Sequence, residues 1–193
     1  MYVALEGIDT AGKSTQIALL RDAFPSAVIT KEPGGTAVGA KIRDIVLHHE
    51  LQSSKAELLL FLADRAEHMT RIIEPNRDRL IISDRSVVSG IAYALVKKDI
   101  SQTALLHMNR FATGGIYPEK IFLLKLSPKE LEYRLSQKEL DGIESRGVAY
   151  LLSIQEALIE TAHMLDIALV TINASESIDR ISHTIITNIK EYE

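Results

Sequence analysis

Nine consecutive residues, Gly7-Ile8-Asp9-Thr10-Ala11-Gly12-Lys13-Ser14-Thr15, have the types and spacing needed to hold a row of phosphates. The glycines let the backbone curl so that several N–H groups converge on one anion, and a helix starting at Lys13 turns its positive end toward the same point. Lys13 can then reach the β- and γ-phosphates, and the Ser14 hydroxyl suits Mg²⁺. This is the pattern of a phosphate-binding P-loop, and it makes a nucleotide the expected ligand. A glycine-rich turn that binds nothing has no packing reason to place a lysine and a serine at its helical end.

Other groups capable of chemistry lie further along. Asp84 and Arg85 follow the apolar run Leu80-Ile81-Ile82, at the edge where wound α/β sheets place their ligands. Asp84 is suited to Mg²⁺ or a bound water. Arg85, Ser89 and Tyr93 recur at steps of four, so one helical stripe carries a basic head, a hydroxyl and an aromatic ring. That set suits phosphate, sugar edge and ring, and it equally suits a surface ion pair beside a packed tyrosine. Phe61 and Arg65 are spaced the same way, for stacking on a base and bonding its polar edge or for core packing. Arg43, among apolar neighbours, either snorkels or binds phosphate. The charged stretch 138–146, interrupted by Gly142, reads as a lid near 138–147 or as a solvated connection.

The elements that must position these groups follow from apolar runs and breakers. Strands are expected at Tyr2–Glu6, 27–30, 80–83, 120–126 and 168–172, and helices at Lys13–Ala23, 36–48, 53–74, 86–97, 101–112, 128–137, 147–165 and 177–192. Strands that alternate with helices require crossover connections and hence a parallel sheet. The expected architecture is α/β: a three-layer P-loop NTPase fold, one domain over residues 1–193, with about five parallel strands covered by helices on both faces.

Composition narrows the function. A chain of 193 residues with 46% hydrophobic content can fill one sizeable core. With 22 basic and 26 acidic residues the net charge is −4, so no global positive field recruits nucleic acid or an anionic membrane, and neither partner is expected. There is no cysteine, hence no disulfide and no thiolate metal site, and the histidines are scattered. No apolar run approaches the roughly 20 residues that span a bilayer. The chain opens directly on an apparent core strand, so a cytoplasmic enzyme without a leader is expected.

Taken together, these residues resemble the bacterial thymidylate (dTMP) kinases, nearly end to end. The resemblance is carried by Leu5-Glu6-Gly7-Ile8-Asp9 leading into Ala11-Gly12-Lys13-Ser14-Thr15, by Lys31-Glu32-Pro33-Gly34-Gly35-Thr36, and by Leu60-Phe61-Leu62-Ala63-Asp64-Arg65-Ala66-Glu67-His68. Ser83-Asp84-Arg85 with Ser89, Ala92 and Tyr93, and Leu140-Asp141-Gly142-Ile143-Glu144, complete it. The P-loop is common to many NTPases; the Glu-Pro-Gly-Gly-Thr and Asp-Arg-Ala-Glu-His segments discriminate.

The resemblance implies transfer of the ATP γ-phosphoryl group to dTMP, giving dTDP and ADP with Mg²⁺ required, in a homodimer joined through 58–62 and 91–95. It implies that Phe61 stacks on thymine and Arg65 bonds its edge, that Asp9, Arg43 and Arg85 surround the acceptor phosphate, and that Tyr93 packs beneath the deoxyribose. Another nucleoside monophosphate kinase, acting on dUMP, CMP or AMP, is the nearest alternative, followed by a P-loop switch or a scaffold. The chain departs from the family pattern where positive charge should meet the transferring group. Thr10 follows Asp9 where one branch has arginine, and Gly142 stands where a lid arginine is usual. Lys138, with Arg134 or Arg146, is expected to supply that charge. Leu158 and Ala94 also replace commoner residues, a tyrosine and a glutamine.

Overall fold

The computed structural model describes residues 1–137 and 144–191. Five strands, β1 Tyr2–Glu6, β2 Val28–Lys31, β3 Ile81–Asp84, β4 Lys120–Lys125 and β5 Ala168–Asn173, form one sheet in the order β2-β3-β1-β4-β5. Every pairing is parallel, with Val3 opposite Ile82 on one side and Lys120 on the other. The helices among the described residues are α1 Lys13–Ala23, α2 Ala37–His48, α3 Ser54–His68, α4 Val87–Lys97, α5 Gln102–Thr113, α6 Pro128–Ser136, α7 Val148–Met164 and α8 Ile178–Lys190.

The layering follows from handedness. The chain moves toward one edge of the sheet from β1 to β2 and toward the other in every later crossover, and right-handed connections then put α1 on one face and the α4, α5 and α7 helices on the other. In agreement, α8 packs on α1, and α7 on α4. β1 is buried along its whole length, and β4 along all but its last residue, as a sheet covered on both faces requires. Val3, Leu5, Ile82, Phe122 and Leu124 form the centre of the core with Ile91 of α4 and Ile154 of α7.

Five expected helix starts fall one residue early for a single reason. Thr36, Ser53, Ser86, Ser101 and Ser177 are extended capping residues whose hydroxyls accept from backbone N–H groups of the first turn. The expected helix 53–74 is divided: α3 ends at His68, a π turn follows at Met69–Ile73, and a 3-10 turn at Glu74–Asn76 contains Pro75, which has no N–H to continue an α-helix. Strands β2 and β3 each extend one polar residue further than expected, because Lys31 and Asp84 pair with one another. Lys138 and the segment Leu140-Asp141-Gly142-Ile143 lie outside the described residues, as does Tyr192 at the end of the expected last helix.

Candidate active site

The phosphate loop joins β1 to α1 at the carboxyl edge of the sheet. Gly12 has φ 98, a left-handed conformation that glycine adopts without steric cost, and it gives α1 no side-chain cap. Six other helices are capped by a serine or threonine, so α1 keeps its terminal N–H groups available to an anion. Lys13 is buried and folds back to donate to the carbonyls of Gly7 (2.9 Å) and Ile8 (3.1 Å), with Asp9 at 4.0 Å. Burial, helped by the Arg85 charge, pulls its ammonium down to about 8. Ser14 and Thr15 are exposed on the first turn, whereas Ala11 is buried beneath the loop. Arg134 of α6 steadies the opposite side, donating to Thr10 O at 2.9 Å and Ala174 O at 2.7 Å.

Next to the loop, the end of β3 turns sharply into α4. Arg85 adopts φ 68, rare for so large a side chain, and the turn is held by Arg85 N donating to Leu5 O and by the Ser83 hydroxyl donating to Arg85 O. The Arg85 guanidinium is thereby aimed back at the loop, donating to Asp9 Oδ1 (2.5 Å), Gly7 O (3.2 Å) and Ser89 Oγ (3.2 Å), and it lies 5.7 Å from the centre of the Tyr93 ring. The expected stripe Arg85, Ser89, Tyr93 is therefore one structural unit. Beneath it sits Glu6, fully buried, accepting from Ser86 Oγ at 2.7 Å and Ser89 Oγ at 2.5 Å. Burial raises the Glu6 carboxyl against the opposing pull of both hydroxyls. Burial likewise pushes the Tyr93 phenol up to about 12, and its hydroxyl has no hydrogen-bond partner. Asp84 Oδ1 is also buried without one.

The two discriminating segments of the sequence meet across the gap between β2 and α3. Asp64 Oδ1 accepts from Gly34 N at 3.0 Å, Arg65 Nε donates to Glu32 Oε1 at 2.6 Å, and His68 Nε2 bonds Thr30 Oγ1 at 2.7 Å. Burial alone would raise the Glu32 carboxyl, but Arg65, aided by His68, outweighs it and holds the group below its ordinary value. Arg65 is 2% exposed, so its charge is answered inside the protein. Phe61, one turn before it on α3, is half-buried. Arg43 of α2 is half-buried and donates to Pro33 O at 3.1 Å, which ties it to the Glu-Pro-Gly-Gly turn.

Thus Lys13, Asp9, Arg85, Ser89 and Tyr93 converge, and Arg43 and Arg65 frame the turn after β2. Arg146 stands apart at the end of the 3-10 turn Glu144–Arg146 that precedes α7, exposed, with its guanidinium 5.1 Å from the centre of the Tyr150 ring. Sequence reasoning did not single out Glu6, Glu32 or Asn109 as site residues. Asn109 carried a usable signal: a polar residue on the buried face of α5 between Leu105 and Ala112 at helical spacing.

A parallel sheet, an uncapped helix behind a glycine-rich loop, and paired cationic and carboxylate groups on the neighbouring strand define a P-loop phosphotransferase of the nucleotide-kinase type. The comparisons with known proteins narrow this class. The thymidylate kinase family model matches residues 5–185. A thymidylate kinase from Sulfurimonas denitrificans is 65% identical over 189 residues, covering 98% of this chain and 99% of the relative. One from Wolinella succinogenes is 55% identical over 187 residues, with 97% of each covered. The crystal structure of thymidylate kinase from Ehrlichia chaffeensis superimposes with a TM-score of 0.74 at 25% identity, covering 98% of both chains. The chain belongs to the thymidylate kinase family, whose members are ATP-dependent nucleoside monophosphate kinases.

Proposed function

We propose that this chain catalyses transfer of the γ-phosphoryl group of ATP to the 5′-phosphate of dTMP. An acceptor phosphate oxygen forms the new bond to Pγ while the bond from Pγ to the β,γ-bridging oxygen breaks, leaving dTDP and ADP. The observation that carries the reading is the Asp9–Arg85 pair, 2.5 Å apart, set against the phosphate loop and next to the Phe61/Arg65 face of α3. The acceptor is already a nucleophilic phosphate, so the reaction needs alignment and charge neutralisation more than a strong base.

In this reading Gly7 to Thr15 hold the ATP phosphates, with Lys13 swinging from its own loop carbonyls onto the β- and γ-oxygens. Arg85 and Arg43 bind the acceptor phosphate, Asp9 orients Arg85, Tyr93 underlies the deoxyribose, Phe61 stacks on the base and Arg65 donates to its carbonyl edge. Ser14 and Asp84 would hold Mg²⁺, and the unpartnered buried oxygen of Asp84 fits a hard cation that takes one or two protein oxygens and completes its shell with phosphate and water. The chemistry Mg²⁺ would supply there is neutralisation of phosphate charge. Lys138 and Arg146 are assigned to the transferring group from the lid.

A homodimer is part of this proposal, with a change in its surface. Ile91 and Ala92 of α4 are wholly buried in the chain's own core, which leaves the partly exposed Tyr93, Ala94 and Leu95 as the part of 91–95 that could meet a second copy. The apolar groove between α3 and α5, about 420 Å³, with Leu59 56% and Phe111 91% exposed, is the better contact. Among the described residues no helix is long and apolar enough to cross a membrane, and we assign the reaction to the cytoplasm. The test is to offer Mg-ATP with dTMP, dUMP, dCMP or AMP separately and to identify products by chromatography. Preferential formation of dTDP with ADP is expected. ATP binding without any phosphorylated acceptor would overturn the proposal.

A further inference from the structure

Arg65 can read a base edge only if its guanidinium is held in one plane, and Glu32 alone does not do this. Both Arg65 Nε and Arg65 Nη2 fall on the same carboxylate oxygen, Oε1 of Glu32, so the planar group is free to pivot about that one atom. A second contact fixes it. Arg65 Nη1 donates to Oδ1 of Asn109 on α5, 44 residues away in sequence. The Asn109 amide is itself oriented, because its Nδ2 donates to Leu105 O at 2.7 Å, which leaves Oδ1 facing Arg65. Asn109 is 0% exposed. The backbone of α4 supplies a third wall: a Cβ at Gly90 would collide with the guanidinium.

We infer that Asn109 is a specificity-determining positioning residue, which locks Arg65 so that its free donors meet a carbonyl, and not an amino group, at the pyrimidine 4-position. A guanidinium has five N–H donors and no acceptor. Nε and one hydrogen of Nη1 are engaged, and Nη2 is in ion-pair contact with the same Glu32 oxygen, so donors remain on both terminal nitrogens, with Gly90 of α4 against Nη2. Such an edge pairs with the C4 carbonyl of thymine or uracil and rejects the C4 amine of cytosine. The inference rests on the assignment of Arg65 to the base edge and goes beyond it by naming what enforces the choice.

The test is the ratio of kcat/KM for dTMP to that for dCMP in the full-length enzyme, wild type against Asn109→Leu and Asn109→Asp, with dUMP and ATP as controls. A site that hydrogen-bonds its substrate discriminates strongly through that bond, so Asn109→Leu should lower the dTMP/dCMP ratio by at least roughly tenfold, mainly through KM for dTMP. The dTMP/dUMP ratio and KM for ATP should stay within about twofold, since both pyrimidines carry the carbonyl. Asn109→Asp keeps an acceptor facing Arg65 and should retain the ratio within about threefold. If the leucine variant does not fold, Asn109→Ser, too short to reach Nη1, is read in the same way. An unchanged dTMP/dCMP ratio in a folded Asn109→Leu or Asn109→Ser variant overturns the inference alone. A wild-type enzyme that phosphorylates dCMP as well as dTMP overturns the assignment of Arg65 and this inference together.

Discussion

On the proposed acceptor side Glu32, Arg65 and Asn109 are almost wholly buried and bonded to one another, while on the proposed lid side Arg146, at the end of the 3-10 turn Glu144–Arg146, is exposed and rests on Tyr150 of the first turn of α7. The first arrangement is complete before any ligand arrives. The second leaves a cation in water, where its interactions are screened and weak. The difference matches two tasks. A base must be recognised by a fixed set of donors, because a donor that can turn selects nothing. Charge on a transferring phosphoryl group need be met only while the group moves, which is the task proposed for Arg146.

Breaking the buried side should have the largest effect. Glu32→Gln leaves the Arg65 charge unanswered in the interior, and loss of one partner of a buried pair costs about 3–5 kcal/mol of stability. Chemical denaturation of the two proteins at pH 7 measures it. The sign with pH is fixed by the direction of the shift: Glu32 is held below its ordinary 4.5, so its contribution is complete above that value and is lost as pH falls through the folded-state value. The gap between wild type and Glu32→Gln should therefore narrow in acid; a constant gap from pH 7 to pH 3 contradicts the pairing.

The lid side should respond in turnover with little change in stability. Arg146→Ala is expected to lower kcat by roughly tenfold with KM for dTMP nearly unchanged, a modest loss for a cation that meets the transition state. An Arg146→Ala enzyme with wild-type kcat removes Arg146 from the lid machinery. Arg134 sharpens the contrast, because its donors are already committed to Thr10 O and Ala174 O. Arg134→Ala should loosen the phosphate loop and raise KM for ATP by about threefold, with kcat less affected. A kcat loss greater than that of Arg146→Ala would instead make Arg134 the transferring-group cation.

The same contrast explains what could be read from the sequence. The phosphate loop was legible because its chemistry needs nine adjacent residues, and the stripe Arg85, Ser89, Tyr93 because a helix converts steps of four into one face. The parallel direction of the strands followed from alternating elements, whereas their order in the sheet did not, and the limits of β1 and α1 fell where apolar runs met glycine and lysine. The acceptor network was not legible. Glu32, Arg65 and Asn109 come from a loop and two different helices, and only tertiary packing brings them within bonding distance. Nor could Phe61 alone tell a stacking ring from a core ring. Thr36 and the four capping serines were misplaced by one residue because a hydroxyl that caps a helix and one that begins it look alike in sequence.

The most direct test of a pre-assembled acceptor side is calorimetric titration of dTMP into the nucleotide-free protein, repeated with a non-hydrolysable ATP analogue bound. The account predicts saturable binding of one dTMP per chain without the analogue, and an affinity that changes by less than about threefold when the analogue is present. Binding of dTMP only after the ATP side is filled would contradict it, since the acceptor site would then be assembled by the donor and not by Glu32, Arg65 and Asn109.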